Sequence, residues 1–280
     1  MMVRFRTQCS VLLALALLVV GTAQAAKKGA ITKPKLDPSA PVVDLFKGME
    51  DKQLSTKLLQ KDSKSGNLLI ENLTKETITV DMPESFIGVH VLNQGGFGGG
   101  QGGGQQGGGG GGGGQSTGGG GGGQQGGGGG QQGGGGGGFF SIPPGKVVRL
   151  TVCSVCLEHG KPEPSIRMEY KIFPVEQFSQ DPILKELLNL VATGRINRNV
   201  AQAAAWNIAN GKSWRELAGM KFRTAGNRPD KPHFSYTELA YAQNLVAAAK
   251  QRAVDKKDKK PVDPADPIRR DRTGRVISQR

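Results

Sequence analysis

The chain has 280 residues, 45 of them glycine, a formal net charge of +14 and three cysteines. So few cysteines exclude a disulfide-built scaffold, and roughly 210 residues outside the N-terminal segment and the glycine tract can form one modest core or two small ones. The basic balance suits a protein held near anionic material such as wall polymer, polysaccharide or lipid headgroups, and equally a soluble chain with a basic tail.

Residues 1–25 read as a signal peptide. Arg4 and Arg6 precede the apolar stretch Val11–Val20, and Ala23-Gln24-Ala25 supplies a small-x-small cleavage pattern. The apolar run is too short to span a bilayer, which takes about 20 residues. No cysteine follows it for a lipid anchor, and no later segment is apolar enough to cross a membrane. The expected location is therefore exported: periplasm, cell envelope or extracellular.

Residues 26–41 are basic and proline-punctuated and read as a flexible leader. A short helix is expected after Pro41. From Gln53 the pattern becomes strand-like, in LSTKLLQ, NLLIENL, ETITVDM and SFIGVHVLN. Ile78, Val80 and Met82 alternate with Thr77, Thr79 and Asp81, the pattern of a strand with one buried face.

Residues 95–138 are nearly all glycine, broken by glutamines, Phe97 and the pair Ser116-Thr117. Glycine loses the most backbone entropy on ordering and brings no side chain to bury, so the tract is expected to be disordered. Strand-like sequence resumes at FFSIPPGKVVRLTVCSVCLE and again at SIRMEYKIF. The tract thus reads as a giant loop within a β domain. Enlarging a loop from about four to about 44 residues costs only about 2 kcal/mol, so a folded domain tolerates it.

After Pro174 the period changes to 3.6. Asp181-Pro182 caps and opens a helix with the stripe Ile183, Leu184, Leu187, Leu188 and Val191, ended by Gly194. Asn199 is the expected cap of VAQAAAWNIAN, which Gly211 ends. Ser213-x-x-Glu216 and Ser235-x-x-Glu238 are capping boxes opening two further helices. The expected fold class is α+β: an antiparallel β-sandwich over 42–172, interrupted by the 95–138 loop, then a small helical domain over 174–254 and a disordered basic tail over 255–280.

Three constellations carry potential chemistry. Cys153-x-x-Cys156 closes a strand, where residues three apart face opposite ways, so a disulfide or redox role needs a local bulge. Adding His159 gives three candidate zinc or copper ligands, Cys153, Cys156 and His159, with a fourth drawn from His90 or His233. The third pairs Cys156 with Gln202. Ala201–Trp206 (AQAAAW) resembles the T-Q-x-A-x-W signature of bacterial surface thioester domains, with alanine in place of the threonine. That resemblance implies an internal electrophile between Cys156 and Gln202 that couples covalently to target amines. Against it, Asn199-x-x-Gln202 has capping-box spacing, which would use Gln202 to hold the helix start.

No serine–histidine–acid set or catalytic carboxylate pair stands out, the tract lacks a phosphate-loop ending, and no cofactor is expected. Scarce aromatics and export argue against nucleic acid as a partner. The ordered series GNLLIENLTKETITVDMPESFIGVHVLNQ, a glycine-glutamine insert, CLEHGKPEP and VAQAAAWNIANGKSWRELA resembles a group of exported proteins of planctomycete-type bacteria across most of 42–220. The resemblance implies location and architecture but no reaction. The expected function is therefore a non-enzymatic structural or interaction protein, with anionic envelope polymers or other surface proteins as partners. The alternatives are a covalent-binding adhesin-like domain and a metal-binding exported protein.

Overall fold

Alternating burial along β3 (Ser65–Asn72) turns Gly66, Leu68, Ile70 and Asn72 inward, and the strands beside it repeat the pattern around a closed wall. The computed structural model describes residues 29–91, 115–121, 138–222 and 229–258. The expected signal peptide, most of the glycine tract and the tail beyond Asp258 lie outside them.

The elements before the tract are β1 (Val42–Asp44), α1 (Leu45–Glu50), β2 (Leu54–Gln60), β3, β4 (Ile78–Met82) and β5 (Phe86–His90). Then come β6 (Thr117–Gly121), β7 (Gly138–Ile142), β8 (Val147–Cys156) and β9 (Tyr170–Phe173). The C-terminal part holds α2 (Val175–Phe178), α3 (Pro182–Ala192), α4 (Arg198–Asn210), α5 (Trp214–Gly219), β10 (Lys221–Phe222), β11 (Lys231–Pro232) and α6 (Tyr236–Asp258).

The expected β-sandwich is incorrect. Six antiparallel strands close a barrel in the order β2-β3-β8-β6-β5-β9, and Leu58 pairing with Tyr170 joins the ends. A separate sheet, β1-β4-β7, contributes Ile78, Val80, Met82, Phe140 and Ile142 to the same core as barrel residues Leu58, Leu68, Ile70, Val152 and Tyr170. The physical reason for the error is β6, a strand within the tract expected to be disordered. Without it, β5 and β8 would present open edges, the condition of a sandwich rather than a barrel.

Glycine is what lets β6 fit. A Cβ at Gly118 would lie 2.6 Å from Leu188 Cδ2, and one at Gly120 2.9 Å from Ala192 Cβ, so α3 rests directly on the bare strand. A Cβ at Gly119 would lie 1.9 Å from the Cys153 carbonyl oxygen. The anchors come from the tract's polar break. Gln60 Nε2 donates to Thr117 Oγ1 (2.6 Å), Ser116 N to Glu158 Oε2 (2.8 Å), and Tyr170 Oη to the Gln115 carbonyl (3.0 Å).

Two other boundaries differ from expectation. The described part of the 26–41 leader is stitched to the fold: Ile31 bridges Val148, Ser141 N donates to the Lys35 carbonyl (2.8 Å) and Thr79 N to the Pro41 carbonyl (2.9 Å). These carbonyls and amides find partners the sequence did not reveal. The helices also pack on the barrel: Ile87, Val89, Val155 and Leu157 on the outer barrel wall share a core with Leu187, Val191, Ala204 and Leu245. Other signals appear as read. Asp181 caps α3 with Pro182 at its start, Gly211 ends α4 at φ 62°, and both serine–glutamate capping boxes form, at α5 and at the start of α6. Helix α6 extends to Asp258, four residues past the expected end.

Candidate functional site

The site lies where β8 outruns β3. Ser65 pairs with Cys153, and Ser154 N donates to the Lys64 carbonyl (3.1 Å), the last main-chain bond on that side of β8. Two residues on, Cys156 still presents its N–H and carbonyl on the same edge, where a buried unpaired backbone group would be costly. Helix α4 supplies the partner. Cys156 N donates to Gln202 Oε1 (2.9 Å), and Gln202 Nε2 donates to the Cys156 carbonyl (2.8 Å). The carboxamide thus stands in for one more peptide of the ladder. The buried alanines 201, 203, 204 and 205 leave α4 thin enough to bring it there.

The sequence-identified pair Cys156 and Gln202 is therefore brought together, both buried. The expected capping role of Gln202 is incorrect. Asn197 caps α4, accepting from Asn199 N and Val200 N, so Gln202 lies beyond reach of the helix start. Asn199, the expected cap, has other partners described below.

Burial pushes the Cys156 thiol up to about 12, with Glu163, Asp62 and Glu158 adding to the shift and a Ser63 hydrogen bond opposing it. The group is a neutral thiol at ordinary pH, not a poised thiolate. On the strand's alternation it turns inward with Val148 and Val152, while the Gln202 carboxamide lies in the plane of the sheet. Cys153 is half-buried, and both cysteines are free. They lie three apart on a continuous strand, so their side chains leave from opposite faces.

His159 joins neither cysteine. It packs edge-on against Trp206 (4.7 Å between ring centres), which also meets His233 (5.5 Å) and Phe234 (5.9 Å), while Phe222 stacks on His233 (4.0 Å). Burial lowers both histidines, with Lys212 adding to the effect at His159 and Lys64 at His233. His90 packs edge-on to Tyr170 inside the wall. Among the described residues, no group of three or more His, Cys, Asp or Glu side chains is arranged to hold a metal ion.

Sequence reading missed a second polar constellation beside the first. Lys64 Nζ donates to Asn199 Oδ1 (3.0 Å), and Asn199 Nδ2 donates to Glu238 Oε1 (2.8 Å). It joins the β2–β3 turn to the starts of α4 and α6. The Ser235-x-x-Glu238 box and Asn199 near the start of α4 were each legible singly, but Lys64 comes from a distant turn and no local pattern joins the three. A cleft of about 350 Å³ lies elsewhere, lined in part by Phe46, Glu84, Ser85, Glu176, Lys185 and Lys256. Beside it, Lys256 pairs with buried Glu186 (2.7 Å) and with Glu84 (3.3 Å).

No helix among the described residues is long and apolar enough to cross a membrane. Comparison with protein-family models, curated proteins and solved structures finds no significant match.

Proposed function

We propose that the chain is an exported, non-enzymatic scaffold of the envelope or extracellular space that holds glycine- and glutamine-rich runs against a partner surface. The observation carrying this reading is the incorporation of Thr117–Gly121 into the barrel wall, which roots the tract at its middle. The runs 92–114 and 122–137 are thereby each tied at both ends to the folded body, one between β5 and β6 and the other between β6 and β7. Multiple weak contacts from tethered runs add through effective concentration, without a deep pocket. The net charge of +14 suits anionic envelope polymer or an acidic surface protein as the partner.

The test is association of the mature chain with anionic wall polysaccharide before and after replacement of 92–114 and 122–137 by short glycine–serine linkers, retaining 115–121. The reading expects unchanged melting and at least a tenfold loss of association, the scale of a lost multivalent arm. Undiminished association would refute it.

A second reading, covalent attachment through an internal thioester, is favoured by the juxtaposition of Cys156 and Gln202. Sγ would replace the Gln202 amide nitrogen, which leaves as ammonia, and a target amine would later displace Sγ. The carboxamide would first release both bonds to the Cys156 main chain. This reading expects methylamine to add to Gln202 and to liberate a thiol at Cys156. A freely titratable Cys156 in the untreated, unfolded chain would exclude it.

A further inference from the structure

We propose that Lys64 and Asn199 form an intramolecular isopeptide bond, with Glu238 as the proton shuttle. The orientation of the asparagine is chemically fixed: a lysine ammonium only donates and a carboxylate only accepts, so Oδ1 faces Lys64 and Nδ2 faces Glu238. This is the arrangement that amide exchange needs. The nucleophile lies against the acyl end, and the acid–base group touches the nitrogen that must leave.

The distances are short enough. With Nζ 3.0 Å from Oδ1, a carbonyl bond of about 1.23 Å keeps Nζ within about 4.2 Å of Cγ. A near-attack separation is about 3–3.5 Å, a gap that lysine side-chain torsions can close. Glu238 is held for its part because its other oxygen, Oε2, accepts from Ser235 N (2.8 Å) and Ser235 Oγ (3.0 Å) in the α6 capping box. That leaves Oε1 directed at the Asn199 amide.

The step balances without an outside reagent. Lys64, having released one proton to solvent, attacks Cγ and forms the Nζ–Cγ bond. Once bonded to Cγ, Nζ shares that carbon with Nδ2, the hydrogen-bond partner of Glu238 Oε1, so Glu238 then takes a proton from Nζ and delivers it to Nδ2, the Cγ–Nδ2 bond breaks, and ammonia leaves to be protonated in water. Nothing is oxidised or reduced. The product clamps the barrel turn before β3 to the first turn of α4, three residues before Gln202.

Intact mass of the purified mature chain, followed by a tryptic digest with tandem mass spectrometry, tests the bond. The expected result is a loss of about 17 Da, a crosslinked peptide pair joining Lys64 to Asn199, and no cleavage after Lys64. Lys64→Arg keeps the charge and the hydrogen-bond donor but removes the amine, and Glu238→Gln keeps the cap but removes the acid. Both should have full mass. The loss should persist in Cys156→Ser and resist methylamine, which separates it from thioester formation at Gln202. A wild-type chain that stays at full mass with a free Lys64 peptide overturns the proposal. So does a deficit that survives Lys64→Arg or disappears in Cys156→Ser.

Discussion

Gly119→Ala should unfold the barrel far more readily than any other glycine substitution in the described chain. The added Cβ would sit 1.9 Å from the Cys153 carbonyl oxygen, and 2.9 Å from both the Cys153 carbonyl carbon and Ser154 Cα. All three are backbone atoms of β8, so no rotamer change relieves the clash, and β6 must move off its neighbour. Overpacking of this kind costs about 1–3 kcal/mol, and each ladder bond lost adds about 1 kcal/mol. A penalty of about 3 kcal/mol or more corresponds to a fall in melting temperature of about 6–12 °C in a domain of this size. At Gly118 the obstacle is the movable tip of Leu188, so Gly118→Ala should cost only about 1 kcal/mol. Gly138 and Gly219 meet nothing within 4 Å, and alanine there should be neutral or stabilise by about 0.4–1 kcal/mol. Thermal and urea unfolding followed by circular dichroism ranks the four variants. A Gly119→Ala protein melting within about 1 °C of the parent would refute the placement of β6 in the wall.

Gln202→Ala strips both bonds from the Cys156 main chain and leaves two buried backbone groups unpaired, a loss of about 2–4 kcal/mol in urea unfolding; a loss under about 0.5 kcal/mol would contradict the clamp. With Cys156 pushed up to about 12, iodoacetamide at pH 8 should label Cys153 well before Cys156, whose thiolate fraction is on the order of one in ten thousand; peptide mapping that finds equal labelling would contradict its burial. His159 and His233 are lowered in the folded protein, so the unfolded chain binds more protons once pH drops below about 6.5. Stability should be full above that pH and decline as the pH falls below it towards the lowered folded-state values, and His159→Gln with His233→Gln should flatten the decline in melting temperature.

The helical half was legible because its signals are local. Asp181-Pro182, Gly211 and the two serine–glutamate boxes each fix a boundary within four residues, and each appears in the fold. The barrel was not legible, because a strand is normally read from the alternation of its side chains and β6 has almost none. The available clue was Gln115-Ser116-Thr117, the polar break whose side chains and main-chain groups anchor the strand. At the site, the AQAAAW motif pointed to Gln202 and Cys156, which the fold joins through hydrogen bonds to the Cys156 main chain. The capping assignment failed because Asn197, two residues before the expected cap, occupies that position. The Lys64–Asn199–Glu238 set depends on three chain segments meeting, which no local pattern encodes.

Amide hydrogen exchange across the glycine tract tests the central claim most directly. If Thr117–Gly121 is a wall strand between β5 and β8, the amides of Gly118–Gly120 should exchange with the barrel, slowed roughly a thousandfold or more relative to free chain. Exchange of these glycines at the unprotected rate, with β8 still protected, would contradict the closed barrel and the rooting of the tract on which the proposed scaffold depends.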